Sequence, residues 1–371
     1  MTRPHKRSAV RPDGQAPWVA AFGPVTDVAA FGDLWRAVEQ EADGSVFQSW
    51  AWLGCDFGAR FDDPVALRIT EGQRCIALGL INRRRRLFWH VGETGHGDAD
   101  SVFVEHNGPL VVRDRPAARA AWYAALLGGG AGLGRIVRLS GIGADDLAAA
   151  RRSGVVDQGM TRLAPRRDLA ALRAAGVDCL DSVSANTRQQ IRRAWRHYEA
   201  SGAIAVDRAG TLGAARERLA QLAALHQATW MARGKPGAFA RPGFRSFHDE
   251  LLKRGVADGM VDLLRISAGE RVIGYLYTLV WRGVARAYQS GFVYEVAHPH
   301  EKPGLVCHVA AMRYYQARGL DVYDFLAGED RYKTSLAGGS VALHWIRAAP
   351  RATLTGLALA GRGRLTRMRA G

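Results

Sequence analysis

Cysteine is scarce in this chain, with four in 371 residues. Cys55, Cys75, Cys179 and Cys307 are scattered and form no Cys-x-x-Cys pair. That scatter argues against a disulfide framework and a zinc ribbon, and it predicts a reducing cytosol. Long apolar runs are missing too. The longest, Val272–Trp281, suits a buried strand and falls far short of a bilayer crossing. The basic N-terminus is broken by RSAVRPDGQAP, where a signal peptide needs an apolar core. The chain therefore reads as cytoplasmic, either soluble or peripheral at the inner membrane. Acidic residues are the third deficit: 35 Asp+Glu face 51 Lys+Arg, a net charge of +16. This balance favours anionic partners, whether phosphorylated cofactors, acidic carrier proteins, anionic lipid or nucleic acid, and chooses none of them. Metal-ligand spacing is lacking as well. His298, Pro299 and His300 have no carboxylate–histidine pattern beside them, so no metal is expected. Gly128–Gly134 follows a helical stretch and lacks GxGxxG spacing, which makes it a helix terminus and not a dinucleotide loop.

What is present is ordinary globular composition, 48% hydrophobic and 23% charged, in a chain long enough for two cores. Residues 1–15 read as a disordered basic arm, 16–142 as a first domain, and 143–165 as a linker with a short helix. Residues 166–350 read as a second domain and 351–371 as a basic tail. Each half runs strand, two helices, three-strand meander, helix, strand, although no repeat is visible residue by residue. In the first half a single helix is predicted over Gln48–Ala59 and an extended stretch over Ser101–Val112. The most informative segment is Ala285–Ala337. Ala285–Val293 has the β-branched and aromatic content of a strand. Pro303 and Gly304 open a helix with Leu305, Val309 and Met312 on one face, and Gly319 ends it. Asp321–Leu326 returns as a strand, and Gly328 opens a polar turn. Strand, crossover helix and parallel strand make a right-handed unit. Its helix N-terminus attracts phosphate, and Lys302 adds positive charge there.

This element order resembles the GNAT acyltransferase fold, and two such units in one chain resemble the Fem-type peptidoglycan aminoacyltransferases. Six segments resemble a related bacterial group, the CelD-like N-acyltransferases associated with cellulose and exopolysaccharide operons. They are FQSWAWL at Phe47–Leu53, TRQQIRRAWRHYEASG at Thr187–Gly202, HQATWMARG at His226–Gly234, YQSGF at Tyr288–Phe292, KPG at Lys302–Gly304 and YDFLAGEDRYK at Tyr323–Lys333. The resemblance implies an α/β chain of tandem GNAT-like domains, each a mixed sheet flanked by helices. The first would be degenerate and on the acceptor side; the second would bind the donor. It also implies acyl-CoA, or an acyl carrier protein, as co-substrate and direct attack of an amine on the thioester, without a metal. Lys302, Pro303, Gly304 and Leu305 then replace the usual glycine-rich pyrophosphate loop. Tyr288, Gln289, Ser290 and Gly291 flank the thioester arm, where their strand splays from Val322–Leu326.

Amine attack requires a base, oxyanion donors and positive charge for phosphates. His226 and Trp230 lie four apart on a face that carries Leu219 and Leu222. Such a histidine is either a core residue or, as the HxxxWxxRG match implies, the base, with Trp230 and Arg233 on the acceptor side. His308 shares the apolar face of its helix, again as core residue or catalytic group. Glu329, Tyr332 and Lys333 stand at the carboxyl end of a strand, where α/β proteins put their sites. There Glu329 is a second candidate base, Tyr332 a proton donor and Lys333 a partner for a buried Asp324. Arg188, Arg192 and Arg196, with Arg193 beside them, form a basic stripe that is either a solvated face or a docking surface. The tail, with Arg362, Arg364, Arg367, Arg369, Leu357, Leu359, Leu365 and Met368, is either a free end or a contact for an anionic membrane surface. The expected acceptor is the amine of an envelope lipid, such as a sphingoid base, or of an exopolysaccharide sugar. A transfer-RNA-dependent transferase and a non-catalytic scaffold are the alternatives.

Overall fold

The structure is a computed structural model that describes residues 7–9, 17–85, 87–129, 132–294, 299–328 and 330–361. The chain divides into two units, Met1–Thr161 with Ala342–Gly371, and Arg162–Val341.

Unit 1 begins with β1 (Arg7–Ala9), β2 (Trp18–Pro24) and α1 (Val28–Glu41). The Asp27 carboxylate starts α1 by accepting the Ala30 amide at 2.9 Å. The single helix expected over Gln48–Ala59 is instead two one-turn helices, α2 (Trp50–Leu53) and α3 (Phe57–Arg60). Between them Asp56 takes a left-handed φ of 48°, which breaks the helix and lets the rings of Trp50 and Phe57 pack 5.6 Å apart. The antiparallel meander β3 (Pro64–Glu71), β4 (Arg74–Arg84) and β5 (Phe88–Val91) follows. The stretch expected to be extended over Ser101–Val112 holds the end of a 3-10 turn, loop and only the short β6 (Leu110–Val111). Next come α4 (Ala118–Leu127), β7 (Ile136–Ile142), which pairs in parallel with β5, and α5 (Ala144–Ser153).

β8 (Val155–Asp168) leads from unit 1 into unit 2, which continues with α6 (Leu169–Ala174), α7 (Ala185–Glu199), β9 (Ile204–Arg208), α8 (Leu212–Ala232) and α9 (Pro242–Gly255). The Thr211 hydroxyl caps α8 by accepting the Ala214 amide at 3.2 Å. The meander β10 (Val261–Ala268), β11 (Arg271–Trp281) and β12 (Val284–Phe292) is antiparallel. Helix α10 (Pro303–Ala317) crosses over to β13 (Val322–Asp324), parallel to β12; α11 (Arg331–Leu336) follows, and β14 (Gly339–Ala349) leads back into unit 1. A further helical stretch covers 354–361. Strand order is β2-β3-β4-β5-β7 in unit 1 and β9-β10-β11-β12-β13 in unit 2. Both are mixed sheets with one parallel pair at the same place, so the fold is α/β with its topology used twice. None of the helices among the described residues is long and apolar enough to cross a membrane.

Helices cover the two faces of the unit 2 sheet, and strand alternation says which. A Cβ on Gly274 would meet Phe292 and Cys307 of α10, whereas one on Gly291 would meet Leu222 and Leu225 of α8. Residues 291 and 292 point opposite ways, so α10 and α8 lie on opposite faces. Helix α10 is buried almost all round, through Val306, Cys307, His308, Val309, Met312 and Tyr315. Its far end is fixed by the Tyr315 hydroxyl, which donates to Asp262 at 3.0 Å, while Arg208 pairs with the same carboxylate. Asp262 is only 4% exposed, so each donor matters. Tyr315→Phe removes one of them and is expected to cost about 1.5–3 kcal/mol in urea unfolding.

Candidate active site

The strands β12 and β13 pair over Val284–Arg286 and Val322–Asp324 and then part. Past Asp324 the chain turns away: the Phe325 amide donates to the Pro165 carbonyl at 2.9 Å. Leu326 adopts φ 57°, with its amide on the Asp324 carboxylate at 2.7 Å. Meanwhile β12 runs on to Phe292 along β11. Its register slips opposite Tyr277 and Thr278, which makes Tyr288 the extra residue of a bulge. Beyond the bulge the Val293 amide donates to Ile273 on β11 at 3.0 Å. Alternation therefore turns the backbone groups of Phe292 and Ser290 to the open edge.

One group on that edge is engaged from α8. His226, 7% exposed, makes a 3.1 Å hydrogen bond from Nδ1 to the Ser290 carbonyl. A carbonyl only accepts, so Nδ1 carries the proton and Nε2 is the basic nitrogen. Nε2 faces the Ala238 amide across a long 3.4 Å. Burial holds the pKa of His226 below its usual 6.5, only partly opposed by the Ser290 contact, so the ring is neutral at neutral pH. The Trp230 ring lies 5.8 Å from that of His226, and Arg233 and Lys235 each sit 5.8 Å over Trp230. Gly291 has no room for a side chain, because a Cβ would lie 2.5 Å from the Leu222 carbonyl oxygen.

Tyr288 turns to α9. Its hydroxyl contacts His248 Nε2 at 3.2 Å, and His248 Nδ1 contacts the Tyr277 hydroxyl at 2.9 Å. His248 is fully buried and was not foreseen from the sequence. The signal available was that a buried imidazole needs partners, and two tyrosines lie in the adjoining meander. Phe239 packs against both His226 and Phe244, at 5.3 and 5.0 Å, and links the two histidines through one aromatic wall. Gln289 is half-buried in register with Tyr277.

The α10 face carries the other candidates. His308 is 1% exposed and contacts the Tyr323 hydroxyl through Nδ1 at 2.8 Å. Burial and the Lys333 charge push its pKa down to about 3. Tyr332 stacks on it at 5.0 Å and 19°, and burial pushes the Tyr332 phenol well above its usual range. Lys333 donates to the carbonyls of Leu326 and Ala327 at 3.4 and 3.3 Å. Glu329 and His298 lie outside the described residues, as do the basic residues 362–369 of the tail. At the start of α10, Lys302 is exposed and its side chain does not cap the helix, and Pro303 is buried. The Glu301 carboxylate just before it is held by Arg271 at 2.6 Å. Leu305 is half-buried, and a Cβ on Gly304 would meet the Phe292 ring at 3.3 Å. In unit 1, His90, Glu93 and Asp100 bring potential metal ligands within 4.8 Å of one another. There Asp100 already accepts both Thr94 donors and the Gly95 amide, and Glu93 accepts Ser140. Those bonds describe a closed loop.

Residues 185–334 match the acetyltransferase (GNAT) domain family. No curated protein matches the chain. Among solved structures the chain is similar to FemX, with 10% identity, 86% of this chain and 96% of that one covered, and a TM-score of 0.55. It is also similar to a C-terminal domain assigned to a lysylphosphatidylglycerol synthetase from Agrobacterium fabrum, with 10% identity, coverage of 91% and 96%, and a TM-score of 0.53. A third is L-PGS from Bacillus licheniformis, with 14% identity, coverage of 90% and 95%, and a TM-score of 0.50. At such identities the likeness is one of fold. Unit 2 thus carries a GNAT-type acyltransferase domain.

Gly291→Ala is expected to push α8 away from β12, because the atoms in the way are backbone and cannot swing aside. The cost should be about 1–3 kcal/mol in thermal or urea unfolding, with weaker protection of α8 amides from hydrogen exchange.

Proposed function

We propose that this protein is an N-acyltransferase of the CelD-like kind, moving an acyl group from acyl-CoA or an acyl carrier protein to the amine of an envelope component. The observation that carries this reading is the edge of β12 from which β13 parts, beside the N-terminus of α10, which the Lys302 side chain does not cap. Donor phosphates would sit at Lys302 and the first-turn amides of Gly304 and Leu305, since Pro303 has no N–H to offer. The thioester arm would run along β12, with the outward backbone groups near Ser290 and Phe292 as its partners. The amine approaches from the side of α8, past Trp230 and Arg233. As nitrogen attacks the thioester carbon, the carbon–nitrogen bond forms, the carbon–sulfur bond breaks, and His226 Nε2 takes the amine's proton. The sulfur leaves as thiolate and takes a proton from water. Tyr332, with its proton held tightly by burial, is a poorer acid than the thiol it would have to serve. Asp324 and Lys333 shape the turn that opens the gap.

A lipid amine such as a sphingoid base fits the surroundings better than a sugar. Met231 and Tyr294 stand exposed near Trp230 and Arg233, at 69% and 58%. The chain as a whole carries a net charge of +16. Binding to anionic vesicles that weakens as salt rises is the expected result, and indifference to them at low salt would remove the lipid version.

A second reading has one observation behind it, the fold likeness to FemX and to L-PGS. An aminoacyl group on transfer RNA would then be the donor, with α7 as the basic surface. Arg188 and Arg192 of that helix are already paired with Asp181, at 3.6 and 3.2 Å, which weakens this version. It predicts steeply salt-dependent transfer-RNA binding. The test is thiol release from acyl-CoA measured with and without candidate amines. Amine-dependent release supports the enzyme, whereas thioester binding without turnover supports a scaffold. His226→Ala is expected to lower the rate by about 100-fold or more. In the wild type, a base with a depressed pKa is lost only when protonated. The rate should therefore hold near neutrality and fall on acidification through a value below 6.5.

A further inference from the structure

Nε2 of His308 is fully buried and has no hydrogen-bond partner. The ring sits where the two strands part. Phe292, the last residue of β12, lies 5.9 Å away, and Phe325, the first beyond β13, lies 5.4 Å away. Tyr332 stacks on one side, and the Tyr323 hydroxyl holds Nδ1. An imidazole in such a cage is costly unless something meets its second nitrogen.

The Tyr323 contact decides what that nitrogen offers. If Nδ1–H donated to the tyrosine, both the phenolic proton and the Nε2 lone pair would be left without partners. If the phenol donates to Nδ1, a single orphan remains, an N–H on Nε2. The second arrangement leaves fewer buried groups unsatisfied. Burial and Lys333 hold the ring uncharged. A neutral N–H among aromatic rings suits a neutral carbonyl oxygen and offers little to a phosphate or carboxylate, which would be stripped of water there.

We infer that His308 Nε2–H is a binding donor for a carbonyl oxygen of the acyl-thioester arm, between the ends of β12 and β13. The inference rests on the acyltransferase reading and adds to it a side-chain contact to the donor, distinct from the backbone edge and from Lys302. Two carbonyls have this chemistry, that of the thioester itself and those of the pantetheine amides. Tyr323 acts through His308 and is a positioning residue.

The test uses the full chain. His308→Leu combined with Tyr323→Phe replaces both partners by apolar groups and is expected to fold with an unchanged or higher unfolding temperature. Its affinity for acyl-CoA should fall about 5–10-fold, with a matching rise in donor KM. His308→Gln, which keeps a donor, should recover part of the loss. A loss seen with acyl-CoA but not with free CoA assigns the contact to the thioester carbonyl; equal loss with both assigns it to a pantetheine amide. Nitrogen-15 NMR of the wild type provides a readout that needs no variant. It should find the proton of the free protein on Nε2 and a shift of that resonance when acyl-CoA is added. Wild-type turnover with unchanged donor affinity in the double variant, or a proton on Nδ1, would overturn the inference and leave the acyltransferase reading standing. A wild type that neither binds nor uses any thioester would sink that reading first and this one with it.

Discussion

The site in unit 2 depends on one diversion of backbone hydrogen bonds. A parallel pair tends to extend, because every buried amide left without a partner costs about 1–3 kcal/mol. Here β13 stops after Asp324 because its next amides have other partners: Phe325 bonds to Pro165 and Leu326 to the Asp324 side chain. On its other edge β13 is paired with Arg166–Asp168 of β8, so the short strand is held without needing β12 along its full length. Arg167 of the same strand donates to the carbonyls of Leu336 and Ala337, at 2.9 and 2.8 Å, which secures the end of α11. Tyr332 on α11 can then stack on His308. The gap and its lining follow from the same few bonds.

Around that gap the structure keeps its histidines uncharged and fixes their protons by the chemistry of their partners. His226 faces a carbonyl, which can only accept, so its proton is on Nδ1 and its basic nitrogen is Nε2. His308 faces a phenol, and the arrangement that leaves fewer buried groups unpaired has the phenol donate to Nδ1 and the ring proton on Nε2. Burial lowers both pKa values. Lys333 is tied to the Leu326 and Ala327 carbonyls on the His308 side, while Lys302 and the Glu301–Arg271 pair stand at the start of α10. Uncharged histidines suit amine attack on a thioester, where both reactants are neutral at the reacting centre and only the distant phosphates are charged.

Much of unit 2 was legible in the residues because glycine, proline and capping side chains punctuate it. The residues predict a helix over Leu212–Arg233, and α8 opens at Leu212 under a Thr211 cap; Gly319 follows α10 at φ 81° as expected. With tight turns at Ala268–Glu270 and Arg282–Gly283, they also predict strands over Val261–Ser267, Arg271–Trp281 and Ala285–Val293, and β10, β11 and β12 fall within a residue of those bounds. What could not be read rests on contacts between distant residues. The polar turn expected from Gly328 gives way to α11, a short helix whose end is secured by Arg167, far away in the sequence. The break at Asp56 serves aromatic packing that no local pattern encodes. His248 needed the register of two strands to bring Tyr277 and Tyr288 to its two nitrogens.

The duplicated topology offers an internal comparison for the proposal that unit 2 holds the donor. In unit 1, β5 and β7 form the matching parallel pair over Phe88–His90 and Ile136–Arg138. The space beyond that pair is closed. Asn107 enters it, its amide donating to Gly141 at 3.1 Å and its side chain to Val91 at 2.8 Å, and it bridges in parallel to Ile142. Gly141 takes φ 64°, and a Cβ there would lie 2.9 Å from the Glu105 backbone, so the inserted segment fits only against glycine. The edge groups that an extended thioester arm would need are thus occupied by the protein's own chain. In unit 2, among the described residues, the corresponding edge has His226 on the Ser290 carbonyl. Among the described residues the difference lies in whether a loop fills the fork between two strands, and the proposed place for the donor arm in unit 2 accords with it.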